Sequence, residues 1–573
     1  MKIRHTIYAL LMAGALGTSC ADLDITPADQ VSEGTFWKTK SDATQAVMGV
    51  YKSLKTGRAG MFLNVREELS SDLAIARGTA EVACTEGKTA STGMFGRFWR
   101  ANYEKIQQAN IAIRGIDKMG EGILAEDYLK FRAEVQFVRA LAYLDLALKF
   151  GGVPIYDETT DITQEYNDLL KSRSSLEEVY ALVHKDLDAG IQNLPYAWDN
   201  ANYGRATKGS AYALKGKAFL FEKNYGKALE NFSKLESDEN FDYELFADYE
   251  ELFKPKNNKN KEYIFAIQNK GGEGIDEGLP LAKYMGQRST FGGGWVHVTP
   301  SQGLVEMYDK VVDGKAVAWT FESEFPGFEN DDKQVRKDVF KASLASNKID
   351  LTLPKRIDEL KALYATLDER CNATVWLPYT THSGWYGPDV APKDMTLIIT
   401  GDGKPHEKNG YVRDNSKNYS YVFRKFVPEG NENGLISSRE HSPNAYPLLR
   451  LADVYLMMAE CYNEQGDQAK AKEYIDRVRA RANMPGIEES SKTEVFNRIM
   501  RERAVELVLE GHRYNDLIRW KKAEMLDGKV EKKILGNPYY TRVFDPARDY
   551  LWPIPEGEIR VNPKLGEEQN PNW

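Results

Sequence analysis

Cysteine is scarce in this chain of 573 residues, which has four, at positions 20, 84, 371 and 461. So few thiols, none in a Cys-x-x-Cys spacing, exclude a disulfide-built scaffold and a structural zinc site of the usual kind. Excess positive charge is also lacking, since 76 Lys and Arg stand against 85 Asp and Glu, for a net charge of −9. With no local basic patch, this balance argues against a nucleic-acid partner.

Motifs of catalysis and cofactor binding are missing too. The sequence contains neither a His-Glu-x-x-His zinc motif nor a phosphate-binding Gly-x-x-x-x-Gly-Lys loop, and its seven histidines are scattered. Beyond residue 20, no segment is apolar over the roughly 20 residues that a bilayer-spanning helix needs. We therefore expect no metal, no cofactor and no enzymatic activity.

The first twenty residues have the three-part layout of a secretory signal. Lys2 and Arg4 precede an apolar run over 7–16, and small residues lead to Cys20. This layout resembles a bacterial lipoprotein signal, with 1–19 removed and Cys20 lipidated, although Gly17 stands where Leu is usual. The alternative is a plain signal cleaved nearby, with Cys20 as a bystander.

The rest of the chain, 20–573, is predicted to be one domain with three regions. The first, 20–254, has a helical pattern, the second, 255–446, is loop-rich with short strand-like runs at 263–268 and 421–426, and the third, 447–573, is again helical. Binding residues usually concentrate in such loops. The predicted helices are 41–54, 98–118, 126–149, 174–194, 207–222, 225–236, 447–463, 467–482 and 491–524.

One short pattern occurs twice at identical offsets of 3, 12 and 16, first as Gly216, Phe219, Ala228 and Phe232, then as Ala459, Tyr462, Ala471 and Ile475. Small residues at the first and third positions allow two antiparallel helices to approach closely, and larger residues fill the space beside them. These offsets are those of the tetratricopeptide repeat, a helix hairpin of about 34 residues.

Several longer motifs occur in a fixed order: Phe36-Trp37, RAEVQFVRALAY at 132–143, KFGGVP at 149–154, YPLLRLADVYLMMAE at 446–460, ERAVELVLEGHR at 502–513, DLIRW at 516–520, LWPIPEGEI at 551–559 and Asn570-Pro571. Together they closely resemble the SusD/RagB family of Bacteroidetes outer-membrane lipoproteins. The resemblance implies a mainly α fold, a tetratricopeptide-like helical scaffold with a long loop-rich region and few short strands. It also implies a surface-exposed protein, lipid-anchored in the outer membrane, that passes oligosaccharide or polysaccharide to a SusC-like TonB-dependent transporter.

The charged residues of these motifs allow two interpretations. Glu506 and Glu510 lie four positions apart, which on a helix approaches the separation of about 5 to 5.5 Å between the carboxyls of a retaining glycosidase. However, nearby arginines lower a carboxyl pKa, whereas a general acid needs a raised one. We therefore predict an ion-pair network and no catalytic residue.

Two aromatic clusters in the loop-rich region are the candidate ligand site. An aromatic ring can stack on the C–H face of a sugar when polar groups surround it. The candidates are Arg288, Phe291 and Trp295 in the first cluster, and Trp376, Tyr379, Trp385 and Tyr386 in the second. The alternative is that these rings pack the loops onto the scaffold. Two other functions remain open at this stage, a RagB-like peptide-binding uptake protein and, less favoured, a secreted polysaccharide-degrading enzyme.

Overall fold

The computed structural model describes residues 36–55, 63–78, 82–160, 165–272, 278–290, 292–345, 350–385, 392–401, 407–412 and 421–573. Within them the fold is mainly helical, as predicted. The α-helices are α1 (Lys40–Ser53), α2 (Leu63–Leu69), α3 (Gly93–Lys118), α4 (Ala125–Phe150), α5 (Leu176–Asn193), α6 (Lys208–Phe221), α7 (Tyr225–Ser237), α8 (Tyr249–Leu252), α9 (Leu281–Met285), α10 (Gln302–Met307), α11 (Phe321–Glu324), α12 (Gln334–Phe340), α13 (Ile357–Tyr364), α14 (Glu369–Thr374), α15 (Leu451–Glu464), α16 (Gln468–Arg481), α17 (Lys492–Leu507), α18 (Arg513–Arg519) and α19 (Glu556–Val561).

The strands of the described residues are short and form two-stranded antiparallel sheets. The pairs are β1 (Ala74–Ala76) with β3 (Val298–Pro300), β2 (Tyr263–Ile267) with β12 (Tyr446–Arg450), β4 (Lys310–Val312) with β5 (Lys315–Val317), β6 (Ser343–Leu344) with β7 (Leu351–Thr352), β8 (Val375–Trp376) with β11 (Val422–Phe423), β9 (Thr381–Gly384) with β10 (Lys393–Thr396), and β13 (Val530–Lys532) with β14 (Pro538–Thr541). The β1–β3 and β2–β12 pairs attach the middle of the chain to the two helical regions.

The repeated pattern forms two helix hairpins, α6–α7 and α15–α16, as predicted. Gly216 on α6 faces Phe232 on α7, and a Cβ built on Gly216 would lie 2.5 Å from the phenyl ring. No real Cβ approaches a ring so closely, so the glycine is what lets the two helices pack. The four small residues, Gly216, Ala228, Ala459 and Ala471, are buried.

Two of the predicted helix boundaries are wrong. The helix predicted over 447–463 begins only at Leu451, because Tyr446–Arg450 is drawn into a ladder with β2. The helix predicted over 491–524 ends at Leu507, since Leu509 and Gly511 adopt positive φ angles of 66° and 78° and turn the chain into α18. Strand pairing sets the start of α15, and a left-handed turn sets the end of α17. Neither feature alters the apolar periodicity from which the helices were predicted.

The predicted ion-pair network is confirmed and lies inside the protein. Arg450 binds the carboxylates of Glu506 and Glu510, each at 2.7 Å, and Arg370 binds Glu506 at 3.0 Å, with all four side chains at most 1% exposed. Burial alone would raise the pKa of Glu506, but Arg481 and the other arginines outweigh it and hold the pKa well below its usual value. Both acids therefore stay ionised partners of arginine.

Other features of the described residues agree with the sequence. Gly151 ends α4 with a φ of 77°, as the Gly-Gly-Val-Pro run predicts. Cys84, Cys371 and Cys461 are buried free thiols. None of the helices in these ranges combines the length and the apolar character needed to cross a bilayer.

Candidate functional site

Arg288 and Trp295 of the first aromatic cluster lie on a segment, 283–297, that begins within α9 and closes on itself through its backbone. The Trp295 N–H donates to the Lys283 carbonyl and the His297 N–H to the Tyr284 carbonyl, both at 2.8 Å. The next residues continue into β3, which pairs with β1. The loop therefore has a fixed shape and is attached at its base to a strand from the N-terminal region.

The glycines of this loop form a tight turn. A Cβ on Gly294 would lie 1.9 Å from the carbonyl oxygen of Gly286, and Gly292 and Gly293 have φ angles of 76° and 73°. Only glycine accepts this contact and adopts this backbone without strain. The glycines therefore form a packed turn that fixes the position of Trp295.

Trp295 lies half-buried between basic side chains, with one part of its ring packed on the core. The Lys283 ammonium lies 4.4 Å from the ring centre and the Arg439 guanidinium carbon 5.4 Å. Tyr284 meets the indole edge-on, with ring centres 5.8 Å apart. The indole is thus held by a tyrosine at its edge and by two cations that lie over the ring.

The second cluster reaches the same loop through Trp385. Its backbone N–H donates to the Ser289 carbonyl at 2.7 Å, directly after β9 ends at Gly384. Trp385 is half-buried, and Arg288, the neighbour of Ser289, is exposed. The fold therefore brings Trp385, from a distant part of the sequence, into backbone contact with the loop that carries Arg288 and Trp295.

Two of the candidate rings are not exposed. Trp376 is 5% exposed and packs with Met395 and Val422 in a small core of its own. Tyr379 is 8% exposed, and its hydroxyl donates to the Phe340 carbonyl. The expectation of exposed ring faces is wrong for this pair, because the rings anchor the loops to the body of the protein. Phe291, Tyr386 and Cys20 lie outside the described residues.

The electrostatics of the loop suit binding and do not suit acid–base catalysis. Glu440 pairs with Lys283 at 2.8 Å, and this hydrogen bond lowers the pKa of its carboxyl, so it stays ionised. Burial, together with the nearby cations Arg77 and Arg66, lowers the pKa of His297, whose imidazole is therefore neutral at neutral pH. No group of three or more metal-ligating side chains is found in the described part of the chain.

Sequence reasoning missed Lys283, Tyr284 and Arg439 as neighbours of Trp295. Lys283 and Tyr284 belong to α9, and Arg439 lies more than a hundred residues further along the chain. Only the pairing of the loop with α9, and the hydrogen bond from Arg439 Nη1 to the Gly292 carbonyl at 3.1 Å, bring them together. No local pattern in the sequence indicates that contact.

Comparison with known proteins places this architecture in a family. Residues 261–573, more than half of the chain, match the SusD family. The chain belongs to the SusD family. Residues 23–220 match a second family description, "Starch-binding associating with outer membrane".

SusD-like relatives align along nearly the whole chain. SusD-like protein P25 of Formosa agariphila is 27% identical and the match covers 100% of this chain and 99% of that protein. A SusD-like carbohydrate-binding protein from Bacteroides fragilis superposes with a TM-score of 0.72 at 23% identity, over 93% of this chain and 100% of that one. A laminarin-binding SusD-like protein superposes with a TM-score of 0.59 at 22% identity, over 94% and 100%. The SusD-like fold is thus confirmed.

Proposed function

We propose that this protein is a surface-exposed lipoprotein of the outer membrane that captures oligosaccharide and delivers it to a SusC-like TonB-dependent transporter. The observation that carries the proposal is the segment 283–297, which is closed by backbone hydrogen bonds, carries Arg288 and the half-buried Trp295, and binds the backbone of Trp385 at Ser289. Membership of the SusD family and the carbohydrate-binding and laminarin-binding neighbours support a glycan as the ligand.

The chemistry of the loop matches what a sugar requires. An indole offers a flat apolar surface for the C–H groups of a pyranose ring, and N–H donors beside it serve the hydroxyls. The exposed Arg288 is such a donor, whereas Lys283 and Arg439 bind Glu440 and the Gly292 carbonyl and lie over the ring. Since the loop is fixed before the ligand arrives, little conformational entropy is lost on binding.

Alanine in place of Trp295 tests this assignment. Loss of one stacking ring costs about 0.5 to 1.5 kcal/mol beyond the area term, which is about a two- to twelvefold weaker affinity. A glycan array identifies a bound hexasaccharide, and calorimetry with it then compares wild type, Trp295→Ala and Trp385→Ala. Trp573→Ala is the control, because this half-buried indole donates to the Leu551 carbonyl at 2.9 Å in the C-terminal segment and belongs to neither cluster.

Unchanged affinity in both loop variants, with a folded protein, would show that the site lies elsewhere. Binding of a peptide mixture with no glycan binding would favour the RagB-like alternative. Turnover of any polysaccharide by the purified protein would contradict a binding role.

The anchor is tested separately. We expect Cys20→Ala to remove the lipid attachment and release the protein from the outer-membrane fraction. Cell fractionation measures this, with Cys84→Ala as the matched control, since the Cys84 thiol is buried in the folded body. A Cys20→Ala protein that stays with the outer membrane at the wild-type level would refute the anchor.

A further inference from the structure

A second aromatic cleft lies at the end of the α6–α7 hairpin, away from the loop that carries Trp295. Its volume is about 340 Å³, within the range of about 300 to 1,000 Å³ that is typical of ligand sites. It is formed by the segment between α5 and α6, the segment after α7 and the start of β2, and it shares no lining residue with the 283–297 loop. Five half-buried aromatic residues line it: Tyr196, Trp198, Tyr203, Phe241 and Tyr243.

Each ring of this cleft is fixed by a contact of its own. The Tyr196 hydroxyl donates to Asp238 at 3.0 Å, and the Trp198 indole N–H donates to the Ala206 carbonyl at 2.8 Å. The Tyr203 hydroxyl accepts the Asn260 N–H at 3.3 Å. The rings therefore keep their places without a ligand, which reduces the entropic cost of binding one.

Two glycines allow the walls of the cleft to form. A Cβ on Gly209 would lie 2.2 Å from the Tyr243 hydroxyl, so this ring packs against the first turn of α6 only because position 209 lacks a side chain. Gly204, with a φ of 92°, would place a Cβ 2.3 Å from Cγ of Gln268. Phe241 then lies between Tyr196 and Tyr243, with ring centres 5.0 and 5.6 Å away.

Charged side chains also border the cleft, and the Lys208 and Lys259 ammonium groups lie over the Tyr196 and Tyr203 rings, 4.6 and 5.2 Å from the ring centres. Arg205 binds Glu134 with its Nε at 2.7 Å and covers the Trp198 ring at 4.2 Å, and Lys261 lies 3.3 Å from Asp242. The side-chain amides of Asn200, Asn240 and Gln268 complete the lining. Ring faces, amides and N–H donors together suit a ligand rich in hydroxyl groups.

We infer that this cleft is a second binding site for an oligosaccharide, separate from the site at Trp295. The class of ligand in this inference rests on the proposed function. The position of the site rests on the cleft alone. Two sites on one body would hold a long glycan at two points, so a polysaccharide would bind more tightly than a short oligosaccharide through the effective concentration of the second contact.

The experiment uses the purified protein with laminarihexaose and maltohexaose as probes, and a combined Tyr196→Ala/Tyr203→Ala variant. Each of these two rings contributes about two- to twelvefold to the affinity of a stacked sugar. We expect at least about a fivefold loss of the affinity assigned to the second site. Hydrogen exchange with bound hexasaccharide should show protection of 194–207 and 238–268 in the wild type and not in the variant. Tyr550→Ala is the control, since this half-buried ring lies in the C-terminal segment, 3.9 Å under Lys521.

The outcomes separate this inference from the proposed function. Loss of protection in the cleft variant, with Trp295→Ala still protected there, supports the inference. Glycan binding that Trp295→Ala weakens and the cleft variant leaves unchanged overturns the inference and leaves the proposed function standing. Occupation of the cleft by a peptide mixture and by neither hexasaccharide also overturns it, as does binding to neither probe, which would count against glycan capture as a whole.

Discussion

Replacement of Arg450 by methionine should destabilise the protein strongly, because this arginine holds the centre of the buried ion-pair network. It is 1% exposed and donates to three carboxylates, those of Glu262, Glu506 and Glu510, each at 2.7 Å. Methionine keeps much of the aliphatic volume and removes the charge. Removal of one partner from a buried network costs about 3 to 5 kcal/mol, since the remaining charges stay buried with less compensation.

We expect the loss of stability to lie near the lower end of that range, because the other cations of the network still bind the carboxylates. Glu510 keeps Lys425 at 2.6 Å, and Glu262 keeps Arg481 at 3.3 Å. No carboxylate is therefore left without a cation, and we expect a loss of about 3 kcal/mol in the free energy of unfolding. Lys315→Met is the control, because the Lys315 and Glu488 side chains are 66% and 76% exposed. An exposed pair contributes about 0 to 1 kcal/mol.

Urea denaturation at neutral pH measures both variants, with the m-value checked for constancy. A second measurement varies the pH. Although burial alone would raise the pKa of Glu510, Arg450 and Lys425 hold it below the usual 4.5 in the folded protein, so its contribution to stability is present above that pH and is lost as the pH falls through the folded pKa. The difference between wild type and Arg450→Met should therefore shrink below about pH 4.5. A variant within about 1 kcal/mol of wild type at neutral pH would refute the claim that the buried charges depend on Arg450.

Two further predictions concern the scaffold. Gly216→Ala should lower the free energy of unfolding by about 1 to 3 kcal/mol through overpacking against Phe232. Phe232→Leu in the same chain should restore part of that loss. Equal urea midpoints for Gly216→Ala and wild type would show that the helices separate without cost. His512 is 8% exposed, and burial, with Lys217 beside it, lowers its pKa from 6.5 to about 4. The neutral imidazole therefore contributes stability that is present above pH 6.5 and is lost as the pH falls, on the order of 3 kcal/mol by pH 4. The stability difference between wild type and His512→Gln should shrink by that amount between pH 7 and pH 4, and a constant difference would contradict the buried neutral form.

The helical scaffold was predictable because its signals are local. Periodicity predicted α3 to α7 to within a few residues of their ends, apart from an earlier start of α3, and the shared offsets of Gly216 and Ala459 predicted two hairpins. Where a boundary depends on a partner far along the chain, prediction failed. Tyr446–Arg450 has the pattern of a helix, yet it pairs with β2, some 180 residues earlier in the sequence.

For the candidate site, too, local features were predictable and long-range contacts were not. By itself, the sequence determined that rings and glycines are concentrated in the loop-rich region, and that charge among the helices belongs to ion pairs. Only the tertiary structure decided that Trp376 and Tyr379 are anchors inside the body, while Trp295 packs with Lys283 and Arg439 and the Trp385 backbone binds the same loop at Ser289. The physical reason is that the burial of an aromatic side chain depends on which distant segments pack against it. The local sequence identifies the aromatic residue but not the residues that contact it in the fold.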